Sequence, residues 1–132
     1  MFEHTTKIRV RYGETDQMGV VYHGNYAQYL EIGRVEWLRN LGVSYKDMES
    51  KGIMLPVVYL SLNFKKSAIY DEILNIKTKL VKLPTASISF DYEIYNSSKE
   101  LLVSGNTVLV FVDMKTKKPI KCPKYLLDKM QN

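Results

Sequence analysis

Residues 12–34, YGETDQMGVVYHGNYAQYLEIGR, join a glycine-containing loop to the start of the longest helix that the sequence predicts. Glu14, Asp16 and His23 all fall in the loop half of this stretch. Glycine lets the backbone approach a ligand closely. The first N–H groups of a helix lack intrahelical partners and carry the positive end of its dipole. The stretch therefore places an acid, a base and free backbone donors together at a helix start.

The period of the apolar residues predicts one helix of about four turns over residues 26–41. Asn25 is a suitable N-cap, and Gln28, three residues later, would complete a capping box. Gly42 is a suitable C-terminal stop. A second, shorter helix is predicted from a Ser44 cap to a stop at Gly52.

Strands dominate the rest of the predicted structure. Alternating apolar and polar residues predict them at 6–12, 57–66, 72–83, 86–96 and 101–114, before a short terminal helix at 123–130. One long helix followed by a run of strands predicts an α+β fold, with the helix laid across a curved antiparallel sheet of five strands. Such a sheet has open edges, which pairing between copies commonly covers, so we expect a homo-oligomer.

The composition indicates an ordinary globular protein, and its length of 132 residues predicts one domain over 1–132. The only cysteine, Cys122, excludes an intramolecular disulfide. With no apolar leader and no apolar run long enough for a membrane span, we expect a cytoplasmic protein. The formal net charge of +5 suits a phosphorylated ligand. Nucleic acid is not expected as a partner, because aromatic and basic residues do not alternate. No metal-ligand spacing is present, and no resident cofactor is expected.

The carboxylate at the helix start suggests acyl-transfer chemistry. Asp16 lies seven residues before His23, and it could act as a nucleophile or as a general base on water. A backbone N–H at the helix start could hold an oxygen that becomes negative, an interaction worth roughly 3–4 kcal/mol in the barrier. Simpler interpretations stay open: Asp16 as a turn cap, His23 as a loop residue, Glu14 as a solvated neighbour, and Tyr12 packed on the inner face of its strand with its hydroxyl reaching the site.

The run Y-G-E-T-D-Q-M-G-V-V-Y-H-G-N-Y, Tyr12–Tyr26, resembles the signature of the 4-hydroxybenzoyl-CoA thioesterase family of hotdog-fold proteins. It is most similar to the short acyl-CoA thioesterases associated with the bacterial Tol–Pal system. The resemblance implies a hotdog fold, in which a five-stranded antiparallel sheet wraps a long central helix and a short second helix follows. It also implies hydrolysis of an acyl-CoA thioester to a free acid and CoA, which is substrate rather than cofactor.

The same resemblance implies roles for individual residues. Asp16 matches the catalytic carboxylate, and the backbone N–H of His23 matches the donor that polarises the thioester. The His23 side chain matches a histidine that orients water or substrate, and Tyr12 matches the tyrosine that precedes the acidic loop. The family's active sites lie at a dimer interface, and tetramers are common.

One part of the family pattern is missing. Where the family often has Pro-Ala-Arg, residues 67–69 are Ser, Ala and Ile. The arginine cannot be carried over, so we expect Lys65 and Lys66 to contact the phosphates of CoA. The alternative is that both lysines form a solvated strand end.

Two other functions stay open on the same fold. One is a hydratase or dehydratase; the other is a non-catalytic acyl-CoA sensor or assembly protein. If Asp16 is not the catalytic carboxylate, Glu31 and Glu36 on the long helix are the next candidates.

Overall fold

One long helix crosses an antiparallel sheet in the computed structural model, which describes residues 2–131. The helices are α1 (Asn25–Leu41), α2 (Tyr45–Ser50) and α3 (Lys124–Gln131). The strands are β1 (Glu3–Arg9), β2 (Ile53–Met54), β3 (Val57–Phe64), β4 (Ile73–Leu80), β5 (Ser87–Tyr95), β6 (Leu101–Asp113) and β7 (Pro119–Ile120). The predicted α+β class and its five principal strands are confirmed, and β2 and β7 are two short additions.

The long strand β6 organises the sheet. It pairs with β5 along one edge and with β3 along the other, while β2 and β7 pair with its C-terminal end. The main sheet therefore runs β1–β4–β5–β6–β3, with β1 and β3 at its edges. β1 begins and ends three residues earlier than predicted, because its ladder with β4 runs from Glu3–Lys79 to Arg9–Ile73.

The buried side of α1, which includes Gly33 and Trp37, packs closely against the sheet. A Cβ atom at Gly33 would lie 2.5 Å from Thr78 Oγ1 and 2.7 Å from Ile76 Cγ2, so only glycine fits this crossing without a shift. Trp37 packs edge-on against Phe90, with ring centroids 5.0 Å apart. These contacts fix where the helix begins relative to the sheet.

The predicted helix ends are confirmed at three of four points, one of which is Gly52, which follows the end of α2 in the left-handed region (φ 80°). Gly42 ends α1 in the left-handed region (φ 95°), and its N–H donates to Leu38 O and Arg39 O. Ser44 caps α2 by accepting from Asp47 N at 3.1 Å. The prediction for Asn25 is wrong: it is the first helical residue, and Gly24 occupies the N-cap without a side-chain bond. Within residues 2–131, no helix has both the length and the apolar character that a bilayer crossing requires.

Candidate active site

A tight turn holds Asp16 at the tip of the acidic loop. The Asp16 N–H donates to Val20 O at 2.9 Å, and Gly19 N–H donates back to Asp16 O at 3.0 Å. Gly19 has φ 79°, which suits glycine. Asp16 Oδ1 accepts from Met18 N at 2.9 Å, whereas Oδ2 has no hydrogen-bond partner within residues 2–131. Asp16 therefore caps a turn with one oxygen and leaves the other free.

The loop folds back and docks on the segment that follows β3. Tyr22 N–H donates to Glu14 O at 2.9 Å, which closes the loop on itself. Val21 N–H donates to Ala68 O at 2.9 Å, and Val20 forms a bridge with Ile69. The acidic loop and the end of β3 therefore become neighbours.

A cleft of about 250 Å³ opens between the loop, the start of α1 and the end of β3. Its lining includes four of the five predicted site residues: Asp16, His23, Lys65 and Lys66. Tyr26 and Phe64 also line it, with their ring centroids 5.6 Å apart. The cleft thus combines a carboxylate, a helix start, two cations and an aromatic wall.

The helix start facing this cleft has free backbone donors. Asn25 does not cap the helix, because its Nδ2 donates to Glu14 O at 2.8 Å instead. Within the described part of the chain, no acceptor engages the backbone N–H of His23 or of Gly24. The His23 side chain is exposed and packs against Tyr22, with ring centroids 4.4 Å apart. His23 therefore lines the cleft with a backbone N–H that is unpaired within residues 2–131.

The two lysines stand at the exposed rim of the cleft. The Lys65 and Lys66 N–H groups both donate to Leu102 O, which fixes their backbone beside β6. The Lys66 ammonium forms an ion pair with Glu100, and both side chains are solvent-exposed. Exposed pairs of this kind are weak, so a phosphate could replace the Glu100 carboxylate.

Tyr12 lies away from this cleft. Its side chain is 77% exposed, and its ring meets the edge of Tyr70 with centroids 5.6 Å apart. The prediction that it packs on the inner face of β1 is wrong, because the strand ends at Arg9 and the chain forms a 3-10 turn at Tyr12–Glu14.

Glu14 has a role that the sequence analysis missed. It is not a solvated neighbour: its side chain is only 12% exposed. Its Oε1 accepts from Arg11 N at 2.8 Å and from the Tyr29 hydroxyl at 3.0 Å. Its Oε2 accepts from the Arg11 guanidinium at 3.1 and 3.2 Å. Glu14 therefore ties the acidic loop to the buried face of α1.

These bonds also change the titration of the Glu14–Tyr29 pair. Burial raises the pKa of Glu14, but the hydrogen bonds from Arg11 and Tyr29 outweigh it and lower the pKa below its ordinary 4.5. Burial, together with the neighbouring Glu14 carboxylate, raises the pKa of Tyr29. The pair is held as a carboxylate and a neutral phenol near neutral pH.

The alternative carboxylates lie elsewhere on α1. Glu36 forms an ion pair with Arg39, and Glu31 lines other cavities along the helix. Neither lines the cleft that holds Asp16. Among residues 2–131, no group of three or more histidine, cysteine or acidic side chains is arranged to hold a metal ion.

Comparison with known proteins now identifies the family. Residues 10–130 match the family model described as "Thioesterase-like superfamily". The chain belongs to the thioesterase-like superfamily. The match includes every residue that lines the cleft and every strand of the sheet except β1.

Relatives within this superfamily carry thioesterase names. YneP of Bacillus subtilis, named for a predicted acyl-CoA thioesterase activity, is 39% identical over 95% of this chain and 92% of its own length. The acyl-CoA thioester hydrolase YbgC of Escherichia coli O6:H1 is 30% identical over 91% of this chain and 90% of its own. The solved structure of a DHNA-CoA thioesterase from Staphylococcus aureus is 42% identical, with a TM-score of 0.91 and coverage of 98% of this chain and 87% of that one. These similarities confirm the predicted hotdog fold.

Proposed function

We propose that this protein is an acyl-CoA thioesterase that works in the cleft between the acidic loop and the end of β3, with Asp16 as its catalytic carboxylate. One observation carries the proposal: the free oxygen of Asp16 and the free N–H of His23 belong to residues that line the same cleft. Thioester hydrolysis needs both a base or nucleophile and a donor for the carbonyl oxygen.

The reaction follows from these two groups. As general base, Asp16 takes a proton from water while the water oxygen attacks the thioester carbon. As nucleophile, it forms a mixed anhydride that water then hydrolyses. In either route the His23 N–H donates to the carbonyl oxygen as it becomes negative, which is worth about 3 kcal/mol of the barrier. The C–S bond breaks, CoA leaves as a thiolate that takes up a proton, and the free acid remains.

Lys65 and Lys66 are proposed to bind the phosphates of CoA. Both line the cleft beside Asp16 and are exposed enough to reach a phosphate outside it. Paired substitution to alanine should raise the KM for acyl-CoA while kcat changes little, because phosphate binding is the same in the ground and transition states.

A homodimer through β3 is also part of the proposal. Within residues 2–131, β3 is bonded only to β6, and its residues Val57, Val58, Tyr59 and Leu60 are between 44% and 59% exposed. An apolar strand with an unpaired edge is a template for pairing with another copy. The family's interface sites and tetramers, and any role of the exposed Tyr12 in a neighbouring site, stay predictions.

Light scattering would test the dimer. Val58→Lys, on the open edge, should shift the protein toward a monomer, whereas Val81→Lys, at an exposed position just after β4, should not. If the wild type and both variants all have the mass of a dimer, the interface does not include β3.

A thiol-release assay across short, long and aromatic acyl-CoAs tests the activity itself. The wild type should release CoA from at least one of them, and Asp16→Asn should release much less. Hydration of a crotonyl thioester without CoA release would favour the hydratase alternative. Tight acyl-CoA binding by calorimetry without either reaction would favour the non-catalytic alternative.

The family branch and the cellular location are two further assignments that come from the sequence. The Tol–Pal-associated branch rests on the resemblance of the run Tyr12–Tyr26, and the cytoplasmic location rests on the composition. Both stay predictions.

A further inference from the structure

A seam between α1 and β3 is bordered by the active-site cleft and by two further cavities, which share no lining residue with the cleft. At the cleft, Tyr26 of α1 meets Phe64 of β3. Further along, a cavity of about 210 Å³ is lined by Ala27 of the helix and Leu60 of the strand. The seam ends in a larger cavity of about 660 Å³, where Val57 begins the strand. The β3 residue that borders each space thus changes from Phe64 through Leu60 to Val57.

Arg34 lies where the two further cavities meet and lines both of them. It is 6% exposed, although it is a charged residue on the buried stripe of α1. Its Nε donates to the Tyr45 hydroxyl at 2.8 Å, and its Nη1 donates to the Tyr92 hydroxyl at 3.2 Å. The Tyr92 hydroxyl is itself bonded to Thr107 Oγ1 at 2.6 Å. Neutral oxygens therefore hold the guanidinium in place.

Within residues 2–131, no carboxylate lies within 4.0 Å of this guanidinium, although Glu31 lines both cavities with it. None of the ion pairs within residues 2–131 includes Arg34. Glu31 and Glu49 line the larger cavity but are exposed. A buried cation without a counter-charge is costly. The site therefore favours an oxygen acceptor supplied by a ligand.

The guanidinium also keeps a donor free for such a ligand. Nη2 of Arg34 has no acceptor within residues 2–131, yet it is not among the side-chain atoms that are fully buried without a partner. This atom therefore keeps some accessible surface, and Arg34 lines both cavities. The walls around it are largely apolar and include Val35, Leu55 and Val57.

We propose that Arg34 recognises a hydrogen-bond-accepting oxygen at the distal end of the substrate's acyl group. The substrate class is then an acyl-CoA with an apolar body and a terminal carboxylate or hydroxyl, rather than a plain alkyl thioester. This inference rests on the proposed function. Arg34 lies nine positions after Asn25, about 13 Å along a helix axis, so the acyl group is of medium length.

Matched thioesters test this inference on the wild type. For octanoyl-, decanoyl- and dodecanoyl-CoA, kcat/KM is compared with that of the ω-hydroxy and ω-carboxy thioesters of equal length. At the best length, one substituted thioester should exceed the plain one by about tenfold or more, the scale of a hydrogen bond to a charged group. The hydroxy and carboxy arms show whether the preferred oxygen is neutral or anionic. A plain thioester that is equal or better at every length overturns the inference.

Substitutions of Arg34 assign the preference to this side chain. In Arg34→Met the substituted and plain thioesters should become equal, while the plain thioester is still hydrolysed. In Arg34→Lys a charge remains without the guanidinium fork, so part of the preference should remain. If both variants fold and keep the full preference, Arg34 is not the recognising group. If Arg34→Met does not fold, the wild-type comparison still decides.

Binding to the Asp16→Asn variant separates this inference from the proposed function. Calorimetry with the same thioesters should show the same preference without hydrolysis. Hydrolysis without any preference for a terminal oxygen leaves the thioesterase proposal intact and overturns the role of Arg34. If the variant shows the binding preference but the wild type hydrolyses none of the thioesters, the thioesterase proposal fails and the recognition of a terminal oxygen by Arg34 stands.

Discussion

Glu14 and Asp16 are two carboxylates of one loop, two residues apart, and their surroundings are opposite. Glu14 receives four hydrogen bonds, from Arg11 and Tyr29, and is largely buried. The Asp16 carboxylate receives one hydrogen bond, from Met18 N. Its other oxygen has no partner within residues 2–131, and Asp16 lines the cleft. A carboxylate whose lone pairs are all used can only hold structure, whereas one with a free oxygen can act on a substrate. The contrast supports the proposal that Glu14 stabilises the loop and that Asp16 carries the chemistry.

The largest expected effect is on turnover in Asp16→Asn. The asparagine keeps an oxygen for Met18 N–H, so the turn survives, but it cannot take a proton or attack a thioester. We expect kcat to fall about a hundredfold or more, while the free energy of unfolding changes by less than about 0.5 kcal/mol. Thiol release and denaturant unfolding of the same preparation measure both. A turnover close to that of the wild type would move the carboxylate role elsewhere, first to Glu31 or Glu36.

Glu14→Gln should show the reverse pattern. The amide cannot match a carboxylate that faces a guanidinium and a phenol, so we expect a loss of about 1–3 kcal/mol in the free energy of unfolding. Turnover should fall less than in Asp16→Asn, because no reacting group is removed. If Asp16→Asn lowered the free energy of unfolding more than Glu14→Gln does, the division of roles between the two residues would be wrong.

The pH dependence of stability sharpens the same contrast. The pKa of Glu14 is lowered in the folded protein from its ordinary 4.5. Its contribution is therefore complete above about pH 4.5 and is lost as the pH falls through the lower folded pKa. The difference in unfolding free energy between the wild type and Glu14→Gln should shrink over that range. Glu49→Gln, at an exposed position on α2, is the control. A difference that stays constant down to pH 3 would contradict this account.

The smallest effect is expected for Tyr29→Phe. The ring keeps its edge contact with Tyr26, whose centroid lies 5.6 Å away, and only the hydroxyl bond to Glu14 is lost. We expect about 1 kcal/mol of destabilisation, because the Arg11 donors remain. Denaturant unfolding measures it, and the effect should nearly vanish when Glu14→Ala, which leaves the hydroxyl no acceptor at position 14, is already present. Full additivity of the two changes would mean that they do not act through one bond.

The features that the sequence predicted well depend on local signals. The apolar period placed α1 to within one residue, and Gly42 marked its end. The motif also indicated a carboxylate and a helix start at one site, and the structure places Asp16 and His23 along the same cleft. A one-residue error at Asn25 arose because its side chain donates to Glu14 O instead of accepting from the helix.

The features that were missed depend on contacts between distant residues. The bond from Tyr29 to Glu14 spans fifteen positions, and no spacing rule connects a loop carboxylate with a helix tyrosine. Tyr12 was misplaced because alternation was extended past Arg9, where the chain turns. Arg34 did leave a signal, since it falls four residues after Leu30 and four before Leu38 on the buried stripe. Its partners Tyr45 and Tyr92 could be found only from the fold.

A crystal structure of Asp16→Asn with an unhydrolysed acyl-CoA tests the central claim most directly. The account predicts that the thioester lies in the cleft, with its carbonyl oxygen accepting from the His23 N–H and its carbonyl carbon beside the side chain at position 16. A thioester bound away from both groups, in a protein whose loop is unchanged, would contradict it.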